Sequence, residues 1–379
     1  MPIYLDVSAA AHGRAGLGRY AASLAAALLA RNPDGFALFY NRDATTRLPA
    51  GLEASRVPVR TVRAGYKPWR MAVWLGQLAH ADFGRLVPGV TLFHALEHLL
   101  LPLRRAPTVL TVHDLIWHLF PEHHKRLNRW FLDAAMPLFC RRATRIIAVS
   151  ACSKGNLVRL YGVPEDKVTV VPEAAQPRFH PVPPDQVAAV RARYGLPTRY
   201  AVTVGTIEPR KNLVRLADAV ARLRAGGLDV RLVVVGAPGW LYAETLARLA
   251  RPDVADAITR PGFVPDEDLP AVYAGADLCV VSSVYEGFGL PVLEAMACGT
   301  PVVCAGTSSL PEVGGAAASY FDPTDVDDMA RAIAAVWEDA ARRDQMRAAG
   351  LAQAARFSWE RTAAETLAVY RQTMEGTNS

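Results

Sequence analysis

The feature that most constrains this chain is an alternation running along its whole length. Short runs rich in Val, Ile, Leu and Ala are separated by longer stretches with apolar residues at helical spacing. Brief, nearly continuous apolar runs are what strands buried on both faces require. Joining parallel strands takes a crossover of about a dozen residues or more, usually a helix, so the pattern predicts parallel sheets covered by helices rather than hairpins or sandwiches. Strands are expected at 3–7, 36–40, 91–94, 108–112, 145–149 and 168–171 in the first half, and at 200–205, 230–236, 258–262, 278–282 and 301–304 in the second. The fold class is therefore α/β, with two doubly wound parallel sheets. A chain of 379 residues also exceeds one ordinary domain of about 100–200 residues. Between the two sets of strands Pro172, Pro177, Pro181, Pro183 and Pro184 fall within thirteen residues, which reads as an extended linker. The expected division is a first domain at 1–178, a linker at 179–197, a second domain at 198–355 and a C-terminal segment at 356–379. The segment carries a helical pattern that could close either domain.

Hydrophobic residues make up 51% of the chain and charged ones 21%, enough apolar material for two cores and too much for a disordered chain. No apolar run reaches the roughly 18 residues of a membrane span, and Pro2 to Val7 lead straight into a strand without a secretory pattern. A cytoplasmic protein is expected. Cys140, Cys152, Cys279, Cys298 and Cys304 form no C-x-x-C pair and are odd in number, as suits scattered reduced thiols. Charge is unevenly divided: residues 1–183 hold 23 Lys and Arg against 12 Asp and Glu, and residues 184–379 hold 19 against 24. The basic first half could face anionic lipid or a phosphate-bearing acceptor, or simply be a solvated surface. Its cations are dispersed without a recognised binding motif, so no nucleic-acid partner is expected. The segment Tyr66-Lys67-Pro68-Trp69-Arg70-Met71-Ala72-Val73-Trp74-Leu75 suits either an interfacial helix or a core helix.

The strongest chemical signal is Tyr285-Glu286-Gly287-Phe288-Gly289-Leu290-Pro291-Val292-Leu293-Glu294 and its continuation to Val303. It follows a predicted strand, and Pro291 stands where the first turn of a helix tolerates proline. Gly287 and Gly289 clear side chains from a helix start whose N–H groups would meet an anion. Glu286 before that helix and Glu294 a turn inside it could accept hydroxyl hydrogen bonds on either side of a bound diphosphate. A second strand end carries Val204-Gly205-Thr206-Ile207-Glu208-Pro209-Arg210-Lys211-Asn212. Arg210 and Lys211, at the same edge of the same sheet as Glu286, could offset the charge gained by a departing nucleoside diphosphate without a metal.

In the first half Gly13-Arg14-Ala15-Gly16-Leu17-Gly18 follows the first strand and opens a helix. It stands too far from the strand, and lacks the acid after the second strand, for a dinucleotide fingerprint. Backbone N–H groups offered to a ligand are the expected role. His113-Asp114 closes a strand at the carboxyl edge where such sheets bind ligands, although a lone His there is more often a satisfied structural one. Asp266-Glu267-Asp268 and Asp325-Val326-Asp327-Asp328 precede helical patterns and read as caps rather than metal ligands. No metal and no cofactor are expected.

Together these residues resemble glycosyltransferase family 4, the retaining GT-B enzymes, and within it the mannosyltransferases of bacterial O-antigen and polysaccharide assembly. The likeness is densest from Tyr200 to Pro323, where Glu-Pro-Arg-Lys-Asn, Tyr-Glu-Gly-Phe-Gly-Leu-Pro with its trailing Glu, and Ser308-Ser309-Leu310-Pro311-Glu312-Val313 occur in order. It implies two Rossmann-like domains facing a cleft, acceptor on the first, donor on the second, and a last helix crossing back to the first. By resemblance, Glu286 looks like the carboxylate for the donor sugar's hydroxyls, Glu294 like the ribose carboxylate, and Arg210 and Lys211 like the diphosphate cations. Gly289 and Leu290 would give backbone N–H groups to the phosphate, Val264 would meet the nucleobase through its backbone, Gly16 would lie near the diphosphate, and Gly18, Thr206, Gly287 and Phe288 would complete the nucleotide-sugar site. His113 resembles the residue beside the reactive carbon. Where many members carry an arginine this chain has Thr206, which throws more of the phosphate neutralisation onto Arg210 and Lys211.

The implied reaction moves a hexose, mannose from GDP-mannose by subgroup resemblance, onto a glycan or lipid-linked saccharide with the anomeric configuration retained. Two-carboxylate retention needs a nucleophile at the anomeric carbon, and no residue offers itself. Same-face attack, with the leaving phosphate accepting the acceptor's proton, is the expected mechanism. Two other classes share the architecture: a sugar-nucleotide epimerase or phosphorylase, and a non-catalytic binder that would have lost Glu286, Arg210 or Lys211.

Overall fold

Thirteen strands form two sheets in a computed structural model that describes residues 2–376. Met1 of the predicted first domain and 377–379 of the predicted C-terminal segment lie outside the described residues. The first sheet contains β1 (Ile3–Asp6), β2 (Phe36–Arg42), β3 (Val59–Arg63), β4 (Leu92–Ala95), β5 (Thr108–Val112), β6 (Arg145–Ala148) and β7 (Val168–Val170). All are parallel, in the order β3-β2-β1-β4-β5-β6-β7. The second contains β8 (Ala201–Val204), β9 (Leu232–Val235), β10 (Ile258–Gly262), β11 (Leu278–Val281), β12 (Val302–Ala305) and β13 (Ala318–Phe321). They are again all parallel, in the order β10-β9-β8-β11-β12-β13.

Helices cover both sheets, so the central strands read as uninterrupted apolar runs. Leu5, Phe93, Val109 and Ile146 in the first sheet and Val202, Val233, Leu278 and Val303 in the second are fully buried. Each such side chain contributes about 1.5–3 kcal/mol relative to exposure. The two strands not expected from sequence, β3 and β13, are edge strands, and β3 leaves all but one residue exposed.

The chain divides into two compact units: residues 2–119, 126–173 and 358–376 in the first, and 120–125 with 174–357 in the second. The expected extended linker needs correction, because 179–197 contains the helix Pro184–Tyr194. Pro184 occupies a first-turn position, where its missing N–H costs nothing, and Gly195 ends the helix in the left-handed region at φ 60°. The helix is held through Val187, whose methyl group lies 2.8 Å from where a Cβ on Gly275 would stand. The helix Trp359–Glu375 belongs to the first unit. Its Tyr370 hydroxyl lies 2.6 Å from His94 Nδ1 under β4, and Thr362 Oγ1 donates to the Pro172 carbonyl at 2.8 Å.

In both sheets the chain turns back past its first strand, between β1 and β4 and between β8 and β11. The carboxyl ends of the strands flanking such a reversal splay their loops apart and are where open α/β sheets bind ligands.

Candidate active site

At the reversal in the second sheet, β8 ends in a backbone that only glycine can supply. Gly205 has φ 148°, and a Cβ on Gly236, at the end of β9, would fall 2.0 Å from the Gly205 carbonyl oxygen. The chain then makes the 3-10 turn Pro209–Lys211 and enters the helix Leu213–Ala225 through Asn212, itself left-handed at φ 56°. That strained cap is held from the side, since Asn212 Nδ2 donates to the Pro323 carbonyl at 2.8 Å. Two bonds tie the turn to the loop after β11: Val284 N–H donates to the Arg210 carbonyl at 3.0 Å and Ser282 Oγ to the Lys211 carbonyl at 2.7 Å.

This stitching brings Arg210 and Lys211 against Glu286. Lys211 Nζ and Ser283 Oγ each donate to Glu286 Oε1 at 2.6 Å, and Arg210 Nη1 donates to Glu286 Oε2. The same guanidinium reaches the Tyr285 carbonyl at 3.0 Å and binds Glu208 Oε1 through Nε at 2.9 Å and Nη2 at 2.6 Å. Burial would raise the Glu286 carboxyl, but Arg210 and Lys211, with Ser283, outweigh it and hold the group down at about 2. Glu286 is thus an ionised, pre-oriented acceptor, and charge-assisted bonds of this kind are stronger than neutral ones. Glu208, buried with Oε2 unpartnered, is a member of the cluster that sequence reading left without a role. Its only signal was its place in the Glu-Pro-Arg-Lys-Asn run.

The loop beyond Glu286 leads to the helix Leu290–Ala297, with Gly289 at its N-cap in the left-handed region at φ 112°. A Cβ there would stand 2.9 Å from Leu310 Cδ2. Ser308 Oγ accepts from Glu286 N–H at 3.0 Å, and Ser309 Oγ lies 2.9 Å from the Glu286 carbonyl and 2.7 Å from that of Phe288. The loop is therefore shaped from behind. Gly287 and Phe288 are buried, Phe288 turning its ring edge-on to Phe357 at 6.0 Å, so Phe288 has only backbone to offer a ligand. Leu290 is half-buried at the helix start. Glu294 is buried inside the helix and accepts from the Tyr273 hydroxyl at 3.1 Å. Thr206 packs where a Gly239 side chain would otherwise go, its Cγ2 2.4 Å from that Cβ position. Val264, just past β10, is buried while its neighbour Phe263 is exposed. All of these stand at the carboxyl edge of one parallel sheet.

Of the two acidic runs read as caps, Asp325 is one: it accepts from the N–H groups of Asp327 and Asp328 at the head of the helix Val326–Trp337. Asp268 is not, and takes Arg193 and the Tyr194 hydroxyl instead.

The first unit arranges its expected residues otherwise. The glycine run is mostly helix, Ala15–Arg31. Gly16 faces solvent with nothing within 4 Å of a Cβ, whereas Gly18 is buried with the Ala9 carbonyl 2.9 Å from one. Gly18 thus permits close packing of two helices. His113 is buried with both ring nitrogens engaged, Nδ1 3.1 Å from Glu173 Oε1 and Nε2 3.0 Å from the Leu96 carbonyl. Burial would lower its pKa, but those two acceptors outweigh it and the net shift is upward, as two acceptors facing an imidazolium require.

At the first sheet's own reversal stand two buried carboxylates that sequence reading did not pair, Asp6 at the end of β1 and Glu97 just past β4. Burial and then Glu97 raise Asp6 to about 7, against bonds from Ser8. Glu97 is raised by burial, with Arg14 opposing. Arg14 Nη1 lies 3.4 Å from Glu97 Oε2 while its guanidinium stacks 3.6 Å over the Tyr66 ring, and Glu97 Oε1 has no partner.

Comparison with known proteins agrees with this architecture. The family model described as Glycosyl transferases group 1 matches residues 191–353, and that described as Glycosyltransferase Family 4 matches 14–177. An O-antigen chain mannosyltransferase B of Escherichia coli is 37% identical over 274 residues, 72% of this chain and 72% of that one. The chain belongs to this glycosyltransferase family. A serotype-specific mannosyltransferase WbdA of Escherichia coli is 32% identical over 68% of this chain, which spans 32% of that longer protein. Among solved structures, sucrose-phosphate synthase from Thermosynechococcus elongatus superposes with a TM-score of 0.77 at 22% identity, covering 99% of this chain and all of that one. HepE of Anabaena, solved with UDP and glucose, gives 0.74 at 20% identity over 98% of this chain and all of that one. These structures share the fold, so this glycosyltransferase is a two-domain α/β protein of the GT-B type. Among its described residues no helix is long and apolar enough to cross a membrane.

Proposed function

We propose that this glycosyltransferase transfers mannose from GDP-mannose, with retention and without a metal, to a glycan or lipid-linked saccharide of cell-surface polysaccharide or O-antigen assembly. The observation that carries the reading is Glu286 held ionised by Arg210 and Lys211 beside a glycine-capped helix start. The likeness to O-antigen mannosyltransferases supports the sugar and the acceptor class. When the donor binds, its diphosphate lies by the helix start, and the two cations are shared between it and Glu286, which accepts the sugar's hydroxyls. The bond from the anomeric carbon to the β-phosphate oxygen breaks, and the acceptor oxygen bonds that carbon on the same face. The acceptor's proton passes to the leaving phosphate oxygen. Arg210, Lys211 and the helix N–H groups stabilise the charge that develops, supplying the role a metal plays elsewhere. The work is done in the cytoplasm, at the inner face of a membrane that carries the acceptor.

Thermal-shift titration with GDP, UDP, dTDP and ADP tests the donor. GDP at about 100 times its Kd should add about 2.7 kcal/mol, and a larger response to another nucleotide would reject GDP-mannose. Anomer analysis of the product by NMR tests the stereochemistry, since an inverted product would remove the same-face step. Full transfer after exhaustive chelation is the expected result for metal independence.

A further inference from the structure

Large apolar side chains left in solvent are spread unevenly over the described residues. Of nine, five lie on two helices of the first unit: Met71, Leu75 and Leu78 on Tyr66–Leu78, and Leu127 and Trp130 on Arg126–Arg142. Leu127 is 87% exposed, Trp130 58% and Leu75 53%, so each leaves more of its surface in solvent than it buries. Positions 71, 75 and 78 form one helical stripe opposite the buried Trp69, Val73, Gly76 and Gln77.

The two helices are neighbours. Trp74 meets Trp130 edge-on at 5.5 Å and Phe131 at 6.0 Å. Arg70 stacks 3.9 Å over Phe131 and donates to Asn128 Oδ1 at 2.7 Å. The exposed residues therefore make one face, and a contiguous apolar patch of this kind marks an interaction surface.

Charge decides what covers it. The two helices carry Lys67, Arg70, Arg126, Arg129, Arg141 and Arg142 against a single carboxylate, Asp133. That carboxylate is already bonded by Arg129 at 3.3 Å and His118 at 3.2 Å. A second copy docking through the same face would set Lys67, Arg126 and Arg129, all exposed, against the same three cations, whereas an anionic surface would neutralise them. Leucine tips beside an exposed tryptophan and arginines are the composition of an interfacial helix, apolar side toward acyl chains and basic rim toward headgroups.

We propose that this two-helix face seats the first unit on an anionic phospholipid surface, with Leu75, Leu78, Leu127 and Trp130 entering the headgroup boundary and Lys67, Arg126 and Arg129 meeting lipid phosphates. It deepens the membrane association in the proposed function by naming the surface, and it does not depend on the donor or the stereochemistry. The test is co-sedimentation of the full chain with phosphatidylcholine vesicles, with and without phosphatidylglycerol at about a third of the lipid. The protein should pellet with anionic vesicles at low salt and be released as salt shortens the screening length. Leu127→Ser with Trp130→Ser should weaken binding about tenfold or more, while Leu241→Ser, an exposed leucine of the second unit, leaves it unchanged. Unchanged melting temperatures confirm folding.

Absence of binding to anionic vesicles at low salt, or equal binding by the double variant, overturns the proposal. So does a lipid-free dimer in sedimentation velocity that the double variant abolishes, since the face would then belong to a second copy. Failure of the wild-type protein to glycosylate a water-soluble acceptor counts against glycosyl transfer and leaves the lipid face standing.

Discussion

The two units repeat one design, a parallel sheet with buried carboxylates where the strand order reverses, and furnish it oppositely. In the second, two cations bond Glu286 directly and hold it at about 2. In the first, Asp6 stands at about 7 beside Glu97, with Arg14 at 3.4 Å and shared with the Tyr66 ring. Desolvation pushes all three carboxylates the same way. What separates them is the neighbouring charge, two cations bonded to Glu286 against the Glu97 carboxylate beside Asp6, so burial by itself predicts neither the charge nor the task of a buried acid. The second reversal presents a fixed anion with cations to share, the arrangement on which the proposed function rests. The first keeps a proton near neutrality.

The sharpest way to break the contrast is Glu286→Ala, which should lower kcat about 100-fold or more. Steady-state rates with saturating donor decide, and a near-normal rate would remove Glu286 from the reaction. Lys211→Met, which leaves Glu286 to Arg210 and Ser283, should cost about 10- to 100-fold in kcat/KM. It should also raise the pH below which activity falls, read from a pH–rate profile, and an unshifted acid limb would show that Lys211 does not hold Glu286 down.

Stability should answer to pH in opposite senses in the two units. The depressed Glu286 contributes stability that is in place above its unfolded value of 4.5 and is lost as pH falls toward 2. The raised Asp6 contributes stability that is complete below its unfolded value of 3.8 and is lost as pH rises through about 7. Asp6→Asn keeps the acceptor for Ser8 and has no charge to bury. Denaturant titrations should show it gaining on the wild type between pH 5 and pH 8.5 by on the order of 2 kcal/mol, and parallel stabilities at both pH values would refute the raised pKa. The smallest effects separate the two glycines of the first helix. Gly18→Ala, pressed on the Ala9 carbonyl, should destabilise by about 1–2 kcal/mol. Gly16→Ala should stabilise by about 0.5–1 kcal/mol. A drop in donor affinity in Gly16→Ala despite that gain would show that Gly16 touches the ligand.

Eleven strands were legible, the central ones because burial on both faces writes itself as an unbroken apolar run, and the part-exposed edge strands β7 and β10 by their place in the alternation. β3 was not, since Val59-Arg60-Thr61-Val62-Arg63 lies at the sheet edge and carries two arginines. β13 hid because three of its four residues are half-exposed. The helix Pro184–Tyr194 was masked by its own first-turn proline, which in sequence looks like more of the linker. Arg210, Lys211 and Glu286 could be brought together from sequence because each follows a strand of one sheet, so topology alone sets them at one edge. Asp6 ends a strand and Glu97 follows one, but no motif surrounds them to draw attention. Asp268 was misjudged for a related reason, since its partners lie 75 and 74 residues upstream and local spacing cannot see them.

The first unit takes its last helix from residues 359–375, where Tyr370 reaches the buried His94. During synthesis nearly all of the second unit, 174–357, leaves the ribosome before that helix does. The lobe begun first must therefore wait half-clothed, its β4 and β5 surface uncovered, until the lobe begun second has been made. Deleting the final helix would strand the early lobe in that unfinished condition while sparing the later one.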